Sequence, residues 1–403
     1  MTLRLRDDRG HGEEGEVALL GTPLLVLLIL LTVSMPIAVL LAWPRVRGPH
    51  AGQLAQRVSL VLVAQFTAVC VGLVALNDYG QFFTSWSDLF GTSPAAHAVI
   101  QQHFGAEGPV GSHKVHVHRP TIAHVAVTHT VLPQGVEPTS WSRRSEWTSR
   151  GAVVSMPVVG ATTGLSESAL VYLPPAYFAD VRAMPVIEVM TGYPGSTLLL
   201  VDRLNYPSTL LGEMRNGLEP MVLVLLRPSV NYPRDTECTD VPRGPQAFTY
   251  FARDVPTAVS ATFALRPTSY GAIGDSTGAM CAVKLAVMDP HRFVAAVSLS
   301  GYFHAVRDFS TGDLYGGSEA VRQRNDIVWR LQHLPLPAVS LLIATSLTEK
   351  GADGYSAAKK LLALVRTPMS ADEIVLSHGG HNFETWNREI PSALRWFGWH
   401  LRG

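Results

Sequence analysis

Charge is scarce in this chain. Of 403 residues only 16% are Asp, Glu, Lys or Arg, and 32 basic against 32 acidic residues leave a formal net charge of zero. That balance gives no reason to expect a nucleic-acid partner or a strongly acidic one. Lys and Arg are absent from Val58 through Ser112. Cysteine is limited to three residues, and Cys70 falls within an apolar stretch. Cys238 and Cys281 therefore form the one pair that an oxidising compartment could join. Two unpaired thiols, one of them buried, is the alternative reading. No internal repeat stands out.

What the chain has in surplus is apolar side chains, at 47% of the total, and the surplus lies at the front. Val17 to Trp43 carries no charge, and Val58 to Leu76 is a second such stretch. Each is long enough for the ~20 residues that cross a bilayer, so two transmembrane helices are expected. A cleaved signal peptide is a poorer reading, because its apolar region usually runs ~7–15 residues and ends at a small-x-small site. Pro23 and Pro36 fall inside the first segment, where neighbouring helices can satisfy freed carbonyls. Arg45, Arg47 and Arg57 sit in the connector and place it on the cytoplasmic side, although Arg4, Arg6 and Arg9 pull the other way. Both ends of the pair, and whatever follows, are then expected outside the cytoplasm.

From Asn77 to about Arg150, Gly, Pro, His and Ser are scattered with weak periodicity, as in a partly structured linker. It contains His113, His116, His118, His124 and His129, and His116 and His118 would share one face of a strand. With no Cys or acidic partner nearby, a polar strand or linker is a better reading than a metal site. The expected organisation is a tail over residues 1–16, two transmembrane helices within 17–76, an extracytoplasmic linker over 77–150 and a catalytic domain over 151–403.

From Gly151 onward, apolar runs alternate with amphipathic ones, the pattern of a mostly parallel sheet covered by helices on both faces. Strands are expected at Ala152–Val159, Ala169–Leu173, Val186–Met190, Met221–Leu226, Ser269–Ile273, Val294–Ser298, Val339–Ala344 and Glu373–Leu376. Helices are expected at Leu204–Arg215, Phe248–Ala264, Thr277–Met288, Glu319–Leu331, Gly354–Val365 and Phe383–Leu401. The fold class this implies is α/β, an α/β-hydrolase sandwich of ordinary single-domain size.

Between the fifth expected strand and the helix after it runs Gly274-Asp275-Ser276-Thr277-Gly278. A serine held on a tight strand-to-helix turn, with glycines on either side, is a nucleophile elbow. Ser276 then needs a base, and His381, in Gly379-Gly380-His381-Asn382-Phe383 after the last strand, is the best placed. His378 competes but lies closer to the strand. The imidazole needs a carboxylate, and Glu349 is the first acid past the strand Val339–Ala344; Asp353 is the alternative. An oxyanion hole should combine the N–H of Thr277 with one from Thr191-Gly192-Tyr193-Pro194-Gly195. Pro194 has no N–H, which leaves Tyr193.

These segments, with Val171-Tyr172-Leu173-Pro174-Pro175 and Trp386, resemble the esterase family of α/β hydrolases that includes the antigen 85 mycolyltransferases and the feruloyl-type esterases. The likeness runs from about Ala169 to the C-terminus. It implies Ser276 as nucleophile, Glu349 as acid, His381 as base and the N–H groups of Tyr193 and Thr277 as oxyanion donors. The chain departs from the family in its two membrane helices, which secreted mycolyltransferases lack, and in Thr191, which stands where many hydrolases carry His.

The expectation is a membrane-anchored serine esterase or acyltransferase that needs no cofactor. Its substrate would be an ester, with a lipid or cell-envelope component suggested by location. A serine peptidase on the same fold, or a non-catalytic envelope-binding protein with a vestigial triad, are the competing readings.

Overall fold

Strands buried on both faces read as continuous apolar runs rather than alternating ones, and the centre of this molecule's sheet is built that way. The computed structural model describes residues 19–80, 82–90, 92, 100–105 and 131–401. They fall into two units divided after Ser93. The second unit carries ten strands: β1 (Ile100–Gly105), β2 (Glu137–Pro138), β3 (Ala152–Val159), β4 (Ser166–Leu173), β5 (Val186–Met190), β6 (Val222–Leu226), β7 (Tyr270–Asp275), β8 (Phe293–Leu299), β9 (Ser340–Ser346) and β10 (Ser370–Leu376). They form one sheet in the order β1-β10-β9-β8-β7-β5-β6-β4-β3-β2. β5 and β6 are buried at every position, and β6, β5, β7, β8, β9 and β10 run parallel. β3 and β4 are antiparallel, and β3 alternates buried and open positions towards its end.

The chain steps outward from β5 to β6 and then returns to lay β7 on the other side of β5. Such a reversal opens a crevice at the carboxyl ends of the strands, where ligands bind in open α/β sheets. The helix Thr277–Met288 follows β7 and is buried on nearly every side. It lies so close to β5 that a Cβ on Gly278 would come 2.1 Å from the Met190 carbonyl oxygen, and one on Gly274 would come 2.3 Å from Gly278 C. Glycine at both positions is what lets the helix dock there. The opposite face is covered by the helices Tyr206–Arg215 and Phe383–His400, whose Tyr206, Leu210, Trp386, Ile390, Leu394 and Phe397 pack on Ile187, Val189, Ile273 and Val297.

The eight expected strands are all present, β3 and β5 with the expected limits. β1 and β2 come from the stretch read as a partly structured linker, and β1 pairs antiparallel with β10. The single helix expected over Glu319–Leu331 is two, Glu319–Asn325 and Ile327–His333. Asp326 breaks it by turning extended and accepting the Trp329 N–H at its own side chain, as an N-cap does. His113, His116, His118, His124 and His129 lie outside the described residues.

The first unit holds two helices, Thr22–Ala42 and His50–Gly80, both long and apolar enough to cross a membrane. Pro23 opens the first helix, where no N–H is needed, while Pro36 lies inside it. The Gly21 N–H donates to Asp78 Oδ1 at 3.1 Å, so the start of one helix meets the end of the other as in an antiparallel hairpin. The connector lies at the far end, with the Arg57 guanidinium 5.1 Å from the Trp43 ring centre.

Candidate active site

Ser276 has φ 53° and ψ −121°. A positive φ is uncommon for any residue with a Cβ, and such strain persists only where the surroundings impose it. Here they do. The Ser276 N–H donates to the Leu299 carbonyl at 3.1 Å, while its carbonyl receives the N–H groups of Ala279 and Met280. The turn is thus tied to β8 on one side and to its own helix on the other.

Glu349 and His381 are brought together. His381 Nδ1 lies 2.9 Å from Glu349 Oε1. The carboxylate side chain is 1% exposed and the imidazole 13%. Glu349 Oε2 accepts the hydroxyls of Ser300 at 2.9 Å and Thr345 at 3.2 Å. Ser300 Oγ in turn accepts the Trp386 indole N–H at 3.0 Å, and the same indole meets the His381 ring edge-on at 5.2 Å. The two loops that carry the pair are stitched together, because the Ser346 and Thr348 hydroxyls both donate to the Gly379 carbonyl. Asp353 lies in a short turn after Glu349. The His378 carbonyl receives Arg388 Nη2, and its Nε2 lies 3.4 Å from Ser377 Oγ.

The loop after β5 abuts the elbow. The Gly192 N–H donates to Asp275 Oδ2 at 2.8 Å, and a Cβ on Gly192 would come 3.0 Å from Ser276 Cβ. Among the described residues, neither the Tyr193 N–H nor the Thr277 N–H donates to a backbone carbonyl across a turn or loop. The Tyr193 hydroxyl donates to the Pro233 carbonyl, and its ring lies 6.5 Å from that of Tyr232.

Cys238 and Cys281 are bonded, with Cα atoms 5.4 Å apart, so the loop after β6 is fastened to the helix that starts at Thr277. The fastening surrounds a buried polar network. Thr277 Oγ1 donates to Asp235 Oδ2 at 3.0 Å, and the Tyr302 hydroxyl donates to Glu237 Oε1 at 2.7 Å. Lys284, fully buried, donates to the Glu237 carbonyl at 2.8 Å and to Thr239 Oγ1 at 3.0 Å. Burial pushes Glu237 above the usual carboxylate range, opposed by Lys284 and the Tyr302 hydroxyl. Burial likewise lowers Lys284, opposed by Glu237. No group of three or more His, Cys, Asp or Glu able to hold a metal occurs among the described residues.

Ser300, Thr345, Asp235, Glu237 and Tyr302 were not singled out from the sequence. Asp235 and Glu237 lie just before Cys238, so a loop that brings acids to a candidate disulfide was the one available signal. Ser300 and Thr345 carried none.

The family described as Putative esterase matches residues 161–397. Among solved structures, the chain is similar to an S-formylglutathione hydrolase from Agrobacterium tumefaciens, at 15% identity over 62% of this chain and 96% of that one, with a TM-score of 0.52. It is similar to a ferulic acid esterase, at 13% identity over 62% and 98%, with a TM-score of 0.53. A third is FphF, a fluorophosphonate-binding serine hydrolase of Staphylococcus aureus, at 17% identity over 61% and 98%, with a TM-score of 0.50. At these identities the likeness is one of fold. No curated protein matches the chain.

Proposed function

The chain belongs to the Putative esterase family, and from that membership we propose a membrane-anchored serine esterase or acyltransferase that works outside the cytoplasm through an acyl-enzyme on Ser276. The observation that carries this reading is the buried Glu349–His381 pair, 2.9 Å apart, on loops that follow the same strand ends as the Ser276 turn.

A carboxylate that accepts from Nδ1 fixes the imidazole tautomer and leaves Nε2 as the base. His381 takes the Ser276 proton as Oγ attacks the ester carbonyl carbon. Negative charge then develops on the carbonyl oxygen, and the N–H groups of Tyr193 and Thr277 receive it. Collapse breaks the ester C–O bond, and the leaving alcohol departs with the proton from His381. Water or an acceptor hydroxyl, deprotonated by the same imidazole, releases the acyl group and restores the serine. The chemistry needs no cofactor.

Location and surface support an apolar substrate. Leu198, Tyr232, Phe309 and Leu347 follow the carboxyl ends of β5, β6, β8 and β9 respectively and are all exposed, Phe309 at 94%. Together with two candidate membrane spans, they favour a lipid or cell-envelope ester. The organisation proposed is an anchor within 17–76 and a catalytic domain over 151–403 to whose sheet the stretch 77–150 adds β1 and β2, with the connector near Arg45 and Arg47 in the cytoplasm.

The test is to supply a short-chain soluble ester with and without a high concentration of an alcohol acceptor. Wild-type turnover that is lost in Ser276→Ala supports the reading, and acyl transfer under acceptor excess selects the transferase. A folded wild type that turns over no ester removes it.

A further inference from the structure

The residue before the elbow serine plays no part in the steps above, yet its carboxyl is fully enclosed. Asp275 ends β7 on the same face as Ile273, the face covered by the helix Phe383–His400. Its Oδ2 accepts the Gly192 N–H at 2.8 Å, and that bond spans the switch point between β5 and β7. Gly192 is packed so tightly that a Cβ there would come 3.0 Å from both Asp275 Oδ2 and Ser276 Cβ. One side-chain hydrogen bond thus clips the Tyr193 loop to the elbow.

The other oxygen, Oδ1, is buried without a hydrogen-bond partner among the described residues. The Tyr206 hydroxyl and both carboxyl oxygens of Glu389 share that condition. These groups feel one another. Both carboxyls act on the Tyr206 hydroxyl, His381 acts on Asp275, and Glu349 and Arg388 act on Glu389.

We propose that Asp275 is a positioning residue: its carboxyl fastens the Thr191–Gly195 loop to the Ser276 elbow, so that the Tyr193 N–H is held beside Ser276. This rests on the reading of Ser276 and His381 given above.

When neutral, the carboxyl accepts the Gly192 N–H through its carbonyl oxygen and adds no charge beside the imidazole. When ionised, it is a poorly screened negative charge that favours the imidazolium, so less of His381 is free to accept the serine proton. The groups facing it are the Gly192 N–H from the β5 loop, Tyr206 from the helix Tyr206–Arg215, His381 from the loop before the last helix and Glu389 from that helix. Burial raises Asp275 to about 7, opposed by the Gly192 N–H and by His381. Burial and Glu349 hold Glu389 well above the usual carboxylate range, opposed by Arg388. Asp275 therefore changes charge near neutrality, where an exposed carboxylate would already be ionised.

The experiment compares wild type, Asp275→Asn and Asp275→Ala in the full chain. Asn keeps a carbonyl oxygen for Gly192 and cannot titrate; Ala loses both. Hydrogen exchange of the segment 191–195, and kcat and KM for p-nitrophenyl butyrate, are each followed from pH 5 to 9. In Asp275→Ala, exchange should quicken about tenfold and kcat should fall about 10²-fold. Asp275→Asn should restore both and remove an ionisation near pH 7 from the wild-type profile. An Ala variant with wild-type exchange and kcat, or an Asn variant that restores neither, overturns the proposal. Exchange needs no turnover, so an inert wild type removes the serine-esterase reading while the fastening is still decided by the segment 191–195.

Discussion

Glu349 Oε1 meets His381 Nδ1 at 2.9 Å, and the opposite oxygen of the same carboxylate is held by Ser300 and Thr345. The carboxylate is fixed on both sides, so the imidazole it orients has little freedom to turn. A Glu349→Gln variant keeps the shape but presents the wrong hydrogen-bonding pattern to Nδ1. Its kcat should fall by about 10³–10⁴-fold with KM nearly unchanged, as loss of the tautomer-fixing acid does in serine triads. Steady-state ester hydrolysis checks this.

Ser300→Ala removes one donor to Glu349 and leaves the Trp386 indole N–H without its acceptor. A buried donor left unpaired costs about 1–3 kcal/mol. We expect a lower thermal midpoint and a modest drop in kcat, with Trp386→Phe in the Ser300→Ala background recovering part of the stability. The comparison is a double-mutant cycle read by thermal unfolding.

Asp275 also predicts how stability follows pH. Its folded value, about 7, stands above the ordinary 3.8, so the folded state holds the proton more tightly than the unfolded state. The stabilisation from that proton is full below the unfolded value and is lost as pH rises from about 4 through about 7. Asp275→Asn cannot titrate, so its stability relative to wild type should improve steadily across that window by on the order of a few kcal/mol, then level off. Denaturant unfolding at pH 4.5, 6 and 8 measures it.

The Cys238–Cys281 bond closes a loop across a sequence separation of 43. On the chain-entropy model, opening it destabilises the fold by roughly 2–4 kcal/mol. A Cys238→Ala/Cys281→Ala variant should therefore unfold at lower denaturant. It should also lose turnover before it unfolds, because the loop carries Asp235 against Thr277. Activity measured alongside unfolding separates the two effects.

Much of the fold was legible because burial leaves a periodic record. β3, β5 and the helix Thr277–Met288 have the limits read from the sequence, since each is an apolar run bounded by Gly, Pro or a polar break. β1 was not legible. Its Gln-Gln-His centre has no apolar period, and it joins the sheet edge through β10 and a His103–Asp372 contact of 2.8 Å. β2 is two residues long and includes Pro138. At the site, Ser276, Glu349 and His381 could be named because each follows a strand at a glycine-bearing or acidic loop. Ser300 could not, since its marks are contacts with residues 49 and 86 positions away. Asp275 stood within the elbow motif, but only the position of Gly192 gives its carboxyl a use.

The most direct measurement of the central claim is labelling of the purified, folded chain by a fluorophosphonate probe, with the adduct located by mass spectrometry. The account predicts a single adduct on Ser276, none in Ser276→Ala, and labelling slowed by about 10²-fold or more in His381→Ala. A folded wild type that takes no label, or label that persists in Ser276→Ala, would contradict it.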